Sequence, residues 1–291
     1  MTATDAAAAM AAATTQSRRR DLGTASARSL LLTVLGEFVY PRGSHFWTST
    51  LLNALGTLHI EEKSARQAIS RASSEGLIDS ARSGRRVRWS LTPAGEELLR
   101  GGSARIYSFL ANEHEWDGQW LLVSVAVPES QRKLRHRLRT QLTWLGMGSP
   151  SPGLWVIPAA EKADEVSTVL ASLGLRKSAF VWSGTWLDIG EREDLIAAAW
   201  DLDAVAEKYA EFLHAFEPTD GLPPADAFAA QVHLVQAWRR FPFLDPDLPA
   251  SLLPSNWNGQ EAADIFRSCH ATWHEAAQTA WDQWEDEGAR G

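Results

Sequence analysis

Ile60-Glu-Glu-Lys-Ser-Ala-Arg-Gln-Ala-Ile-Ser-Arg-Ala-Ser-Ser-Glu-Gly-Leu-Ile78, followed by Arg82-Ser-Gly-Arg-Arg-Val-Arg-Trp-Ser-Leu91, decides how the first third of this 291-residue chain folds. Ala65, Ala68, Ile69 and Ala72 recur at i, i+3, i+4, i+7, so they form one stripe of a helix, small enough for a neighbouring helix to approach closely. The opposite face carries Lys63, Ser64, Arg66, Gln67, Ser70, Arg71 and Ser74. Arg suits guanine O6/N7, Gln suits adenine N6/N7, and Lys and Ser suit phosphates or either base. In Val87-Arg-Trp-Ser-Leu91 the period changes to two: Val87, Trp89 and Leu91 point one way, Arg86, Arg88 and Ser90 the other. Ser83-Gly84 supplies the turn, so Arg82, Arg85, Arg86 and Arg88 crowd a hairpin whose charge suits a phosphate backbone or a minor groove. A solvated, charge-protected edge strand is the plainer reading. Helix and hairpin agree, however, and a helix in the major groove is the standard docking of this motif, so double-stranded DNA is the expected partner.

Upstream, Ala27 to Tyr40 reads as an apolar helix, and Thr48 to Gly56 as a second with a hydroxyl cap, completing a three-helix winged domain. Thr92-Pro starts a further helix with a cap and a first-turn proline. Charge divides the same way. Residues 18 to 110 hold 14 Lys+Arg against 8 Asp+Glu, whereas 111 to 291 hold 14 against 27. A total charge of −8 therefore hides a basic module joined to an acidic body, the electrostatic footprint of local DNA contact.

The single cysteine, Cys269, excludes an intramolecular disulfide and fits a reducing cytoplasm. No apolar run reaches membrane-spanning length, and the Ala/Thr-rich opening reads as a disordered tail over 1–25. After residue 112 the texture changes. Trp120 to Val127 is a buried strand ended by Pro128; Leu134, Leu138, Leu142 and Leu145 stripe a helix that is otherwise basic. Gly153 to Ile157 is strand-like, Glu161 to Leu173 is an amphipathic helix, and Phe180 to Leu187 is more strand. Strand, helix, strands, helix, strand is the ferredoxin-like order. From Asp194 onward the chain reads as helical, broken by prolines. The expected fold is α+β, with a winged helix over 26–112, a ferredoxin-like sandwich over 113–190 and a helical domain over 191–291.

These residues carry a family resemblance. Ser26-Ala-Arg-Ser-Leu-Leu-Leu-Thr, Trp116-Asp-Gly-Gln-Trp, Val127-Pro-Glu, Gly153-Leu-Trp-Val-Ile-Pro, and Arg240-Phe-Pro-Phe-Leu-Asp-Pro-Asp-Leu-Pro-Ala-Ser-Leu-Leu-Pro254 with Trp257-Asn-Gly-Gln-Glu together resemble the PaaX family of bacterial transcriptional repressors. The resemblance spans roughly residues 26 to 285. It implies a dimer that represses a catabolic operon, phenylacetic acid genes in the family, and leaves its operator when phenylacetyl-CoA binds. The middle domain also resembles small CRISPR-associated nucleases, whose metal-binding Asp ends the first strand. Here Val125-Ala-Val-Pro-Glu129 places Ala126 at that position, which removes the obvious hard-cation ligand. A metal-dependent nuclease is therefore the alternative, and a non-enzymatic regulator without metal or cofactor the expectation.

His270 and His274 stand at i, i+4, a spacing two zinc ligands can use, but no third ligand accompanies them and the order is not His-Glu-x-x-His, so a polar helix face is the favoured reading. The basic run Arg132 to Arg139 is open between a solvated face, a second DNA surface and a phosphate grip. An acyl-CoA effector needs cations for its phosphates and an apolar slot for its acyl group. The candidates are Arg132, Arg135, Arg139 and Arg239, with Trp116 and Trp155 among the twelve tryptophans from residue 116 onward.

Overall fold

The alanine stripe packs as its spacing predicts. In the computed structural model, which describes residues 25–43, 45–111, 116–187 and 189–290, Ala65, Ala68, Ile69 and Ala72 are all buried. They belong to helix α3 (Glu62–Ser74), which packs against α1 (Ala27–Val34) and α2 (Thr48–Thr57). Leu31, Val34, Leu51, Ala54 and Leu55 fill the space between them. Ser26 caps α1 by accepting from the Ser29 N–H. The apolar run expected as one helix to Tyr40 instead loosens into a π turn at Leu35–Val39 and a short 3-10 turn at Tyr40–Arg42. Thr48 is the first residue of α2 rather than its side-chain cap. Its hydroxyl donates to the Val87 carbonyl and accepts from Trp89 Nε1, tying α2 to the hairpin.

That hairpin is β2 (Ile78–Ser83) and β3 (Arg86–Leu91), in register Ile78↔Leu91 to Ser83↔Arg86, with β1 (Phe46–Trp47) on the other side of β3. Gly84 turns the chain at φ +65, a left-handed value that a side chain would strain. Helix α4 (Pro93–Ser108) follows, capped by Thr92 as the sequence predicts.

A second sheet is built from β4 (Gln119–Val125), β5 (Gly148–Ser151), β6 (Leu154–Ile157) and β7 (Ala179–Thr185), in spatial order β5-β6-β4-β7 with each adjacent pair antiparallel. Helix α5 (Arg132–Trp144) lies between β4 and β5 in the chain, and α6 (Ala163–Ser172) between β6 and β7. The order strand, helix, strands, helix, strand is present over 119–185, with β5 at Gly148–Ser151 lying outside the stretch that the sequence marks as strand-like. Alternation sends Leu121, Val123 and Val125 to one face, where Leu138 and Leu142 of α5 and Val166 and Leu170 of α6 cover them. Trp120 and Val156 face the other way, against Ile196, Leu202, Leu248 and Leu252. Both faces of β4 are covered, which is why it reads as an unbroken apolar run.

The remaining elements are helical: α7 (Arg192–Ala199), α8 (Leu202–Ala215), α9 (Pro224–Trp238), the single turn α10 (Phe241–Leu244) and the 32-residue α11 (Gly259–Arg290). The molecule mixes helices with two antiparallel sheets. Its contacts group into two compact units. The first comprises residues 1–108, 216–239 and 264–291; the second comprises 109–215 and 240–263. The expected division had three domains with 191–291 as its own helical domain. In the structure's grouping α9 and most of α11 go with α1 to α3 and the hairpin, because their aromatic side chains supply that core. Phe38 lies 4.6 Å from Phe228 and 5.7 Å from Trp281 between ring centroids. The expected tail falls outside the described residues except for residue 25.

Candidate functional site

Burying its alanine side turns the polar side of α3 outward. Lys63, Arg66, Gln67, Ser70 and Arg71 are exposed and Ser64 is half-buried. Arg66 donates to the Glu62 carboxylate one turn back, at 2.8 Å from Nε and 2.7 Å from the guanidinium terminus. Both partners are exposed, and an i, i+4 pair of this kind contributes only about 0.3–0.5 kcal/mol, so Arg66 can exchange that partner for another. A shallow hollow runs along Glu62, Lys63, Arg66, Gln67 and Ser70. A second joins Arg66, Ser70 and Ser74 to Thr48 and Trp89, so the helix face and the hairpin form one continuous surface.

On the hairpin the four arginines are not equivalent. Arg82, Arg85 and Arg88 are exposed, whereas Arg86 is half-buried. Its guanidinium donates to the Gly288 carbonyl and lies 4.4 Å from the centroid of the Trp47 ring, with Arg88 over the same ring at 5.3 Å. Gly288 is near the end of α11, so Arg86 meets the negative end of that helix as well as an aromatic face. The sequence could group these arginines but could not see that one is already engaged.

The effector candidates are not brought together. Arg132, Arg135 and Arg139 lie on α5 in the second unit, and Arg239 ends α9 in the first. Arg135 is held by Glu129 through contacts of 2.7 and 2.8 Å, which hold the Glu129 carboxyl below its ordinary range. Arg132, Lys133, Arg137 and Arg139 are exposed, with no ion pair among the described residues. Trp155 is buried in the core between the sheet and its helices, leaving no ring face for a ligand. Trp116 is half-buried, donates to the Gln119 carbonyl and meets Trp120 edge-on. Arg239 bonds Thr33 and Gln236, and burial lowers its pKa.

Two polar clusters escape sequence reasoning. Glu37, in the π turn after α1, accepts from Tyr107 of α4, from Gln231 of α9 at 3.0 Å and from His270 Nε2 of α11 at 2.9 Å. Burial pushes its carboxyl up, but the hydrogen bond and charge of His270, then Tyr107 and Gln231, more than offset this and hold it low. His270 therefore faces a carboxylate, with His274 stacked 5.5 Å away between ring centroids. Among the described residues no group of three or more His, Cys, Asp or Glu is placed to hold a metal ion. A lone acid in the apolar run Leu30 to Val39 was the available signal for Glu37. In the second unit, Asp245 accepts from the Tyr209 hydroxyl at 2.5 Å and the Asp247 N–H at 2.7 Å. Burial nevertheless pushes its carboxyl up to about 6.

Three family models match in chain order: PaaX-like protein over residues 26–95, PaaX protein central Cas2-like domain over 113–196, and PaaX-like protein C-terminal domain over 200–283. The transcriptional repressor PaaX of Escherichia coli (strain K12) is 31% identical over 252 residues, spanning 82% of this chain and 78% of that one. The chain belongs to the PaaX family. Among solved structures, uncharacterized protein Rv0674 from Mycobacterium tuberculosis has the same fold, with a TM-score of 0.61 at 23% identity over 91% of this chain and 99% of that one. The Asp245-Pro-Asp block that carries the resemblance is also where the buried Tyr209 to Asp245 bond lies.

Proposed function

We propose that this PaaX-family protein is a DNA-binding transcriptional repressor, with a winged helix over 26–112 and a ferredoxin-like middle domain over 113–190. The single observation that carries the reading is the outward face of α3. Lys63, Arg66, Gln67 and Ser70 stand on a surface that runs on to Thr48 and to Trp89 of the hairpin, whose strands and turn carry the exposed Arg82, Arg85 and Arg88, in a chain similar to a transcriptional repressor. Arg66 and Gln67 read base edges, while Lys63, Ser64, Ser70, Arg71, Arg82, Arg85 and Arg88 hold the backbone. Two protomers read half-sites one helical turn or a multiple apart, so the working form is a homodimer.

An acyl-CoA thioester releases the repressor. The unpaired cations of α5 suit its phosphates, with Arg135 and Trp116 nearby in the same unit; Arg239 and Trp155 are less suited, for the reasons given above. Release by about a hundredfold requires roughly 2.7 kcal/mol of preference for the DNA-incompetent state, within reach of a few charge-assisted contacts. The methyl group of Ala126 cannot ligate the divalent cation that the nuclease alternative requires at that position.

The test is a gel-shift on the promoter of the genes adjacent to its own, titrated with a panel of acyl-CoA thioesters and the matching free acids. Specific retardation relieved by a thioester supports the reading. No specific retardation overturns the repressor, and retardation that no thioester relieves overturns the effector.

A further inference from the structure

Charges that lose their water on folding are ordinarily paired. Arg239, where α9 ends, is an exception. The side chain is half-buried, and no carboxylate meets it among the described residues. Its hydrogen bonds, to Thr33 Oγ1 at 3.2 Å and Gln236 Oε1 at 3.4 Å, run to neutral oxygens and both start from Nη1. Burial lowers its pKa, and so does Arg28 of α1, a second cation close enough to repel it. Glu75, which ends α3, pairs with Arg28 at 2.5 Å and not with Arg239. Two guanidiniums thus share one carboxylate, helped only by the partial negative charge at the end of α9.

The unused edge of Arg239 has a definite shape. With Nη1 engaged, Nε and Nη2 remain, and their N–H bonds run parallel, matching two oxygens of one oxyanion. Neither nitrogen is sealed from water, so the edge opens to solvent. A polar network holds it in place: Thr33 also donates to Gln236 Oε1 at 2.6 Å, and Gln236 Nε2 donates to the Ser29 hydroxyl. A guanidinium fixed in advance gives up little rotamer freedom when it binds.

We propose that this edge of Arg239, with Arg28 beside it, is a binding site for a phosphate group. The tetrahedral anion fills the Arg239 fork with two oxygens and offers a further one to Arg28, which a carboxylate cannot do. Because Arg28 also holds Glu75, a bound phosphate competes for the tie between α1 and the end of α3. The α5 cations belong to the other unit and are a separate set. The phosphate is one of the DNA backbone or of a diffusible ligand, and the site does not depend on the repressor reading.

Isothermal titration of the full chain with inorganic phosphate, in chloride buffer of matched ionic strength, reads the site directly. Two charge-assisted hydrogen bonds correspond to a Kd on the order of 1 mM. Arg239→Gln and Arg239→Lys should each weaken binding at least about tenfold, the lysine because it keeps the charge but loses the fork. Arg176→Gln, which removes an exposed charge elsewhere, should leave it unchanged. Melting without phosphate checks each fold, and should the Arg239 variants not fold, Arg28→Gln decides by the same loss. The salt dependence of binding to a non-specific duplex identifies the source. For a DNA phosphate, Arg239→Gln lowers the slope of log K against log salt by about 0.9; for a diffusible ligand the slope holds and only phosphate binding is lost. Either loss supports the site. Phosphate bound equally by wild type and the Arg239 variants, or bound by neither with an unchanged slope, overturns it.

Discussion

Replacing His270 with alanine removes one of three hydrogen bonds to the buried carboxylate of Glu37, whose side chain is 6% exposed. A hydrogen bond to a charged group contributes about 1.5–3 kcal/mol, and breaking a fully buried ion pair costs about 3–5 kcal/mol. His270 is 21% exposed, and Tyr107 and Gln231 remain, so water can enter and the lower part of the range applies. The expected loss is about 2–3 kcal/mol. For a unit of this size that lowers Tm by roughly 4–12 °C. Calorimetry of His270→Ala, Glu37→Gln and the double variant at pH 7.5 gives the coupling directly, expected at about 1.5–3 kcal/mol. Because Glu37 is held below its ordinary 4.5, its contribution is present above that pH and is lost as pH falls through the folded-state value. The cost of His270→Ala should therefore shrink below pH 4.5. A loss under about 0.5 kcal/mol, or strict additivity in the double variant, refutes the view that this carboxylate is held charged by His270.

Other perturbations separate the remaining claims. Asp245, pushed up to about 6 from an ordinary 3.8, contributes stability that is present below 3.8 and lost as pH rises through 6. The stability difference between wild type and Asp245→Asn should thus shift by about 3 kcal/mol between pH 3.5 and 7.5 in urea melts; a difference flat with pH contradicts it. Arg66→Ala or Gln67→Ala should lose roughly 1–3 kcal/mol of operator discrimination in a competition gel-shift, and intact selectivity would remove α3 from the major groove. Arg82→Ala should reduce the salt slope of DNA binding by about 0.9 without changing Tm. Arg86→Ala should also destabilise the fold by about 1–2 kcal/mol, since it breaks the Gly288 bond and the Trp47 contact; equal Tm values for the two variants would contradict that.

Periodicity made α3, the hairpin and the strand order of the middle region legible, because local spacing dictates which side chains share a face. It failed where partners are distant in the chain. Glu37 meets His270 across 233 residues, and no window of sequence connects them. Arg239 was grouped with α5 by charge alone, although the chain returns it to the other unit. Trp155 matched an aromatic pocket by composition but lies where alternation along β6 points it inward. Strand β7 was legible as a strand but not in its exposure. An apolar strand reads as buried, and nothing in Ala179 to Thr185 reveals that one edge and much of one face stay open.

Arg86 on the Gly288 carbonyl is one of several ties between the first hundred residues and the last ten. Trp47 N–H donates to Glu285 across 238 residues, and Thr50 to the Trp284 carbonyl across 234. A Cβ on Gly288 would stand 2.8 Å from both Ser49 Oγ and the Trp47 ring, so the final turn is fitted closely against the start of α2. Synthesis runs the other way. The helices and hairpin that emerge first from the ribosome must wait for more than 200 further residues before the part of α11 that seats them exists. Any extension fused beyond Arg290 would be placed beside the hairpin arginines.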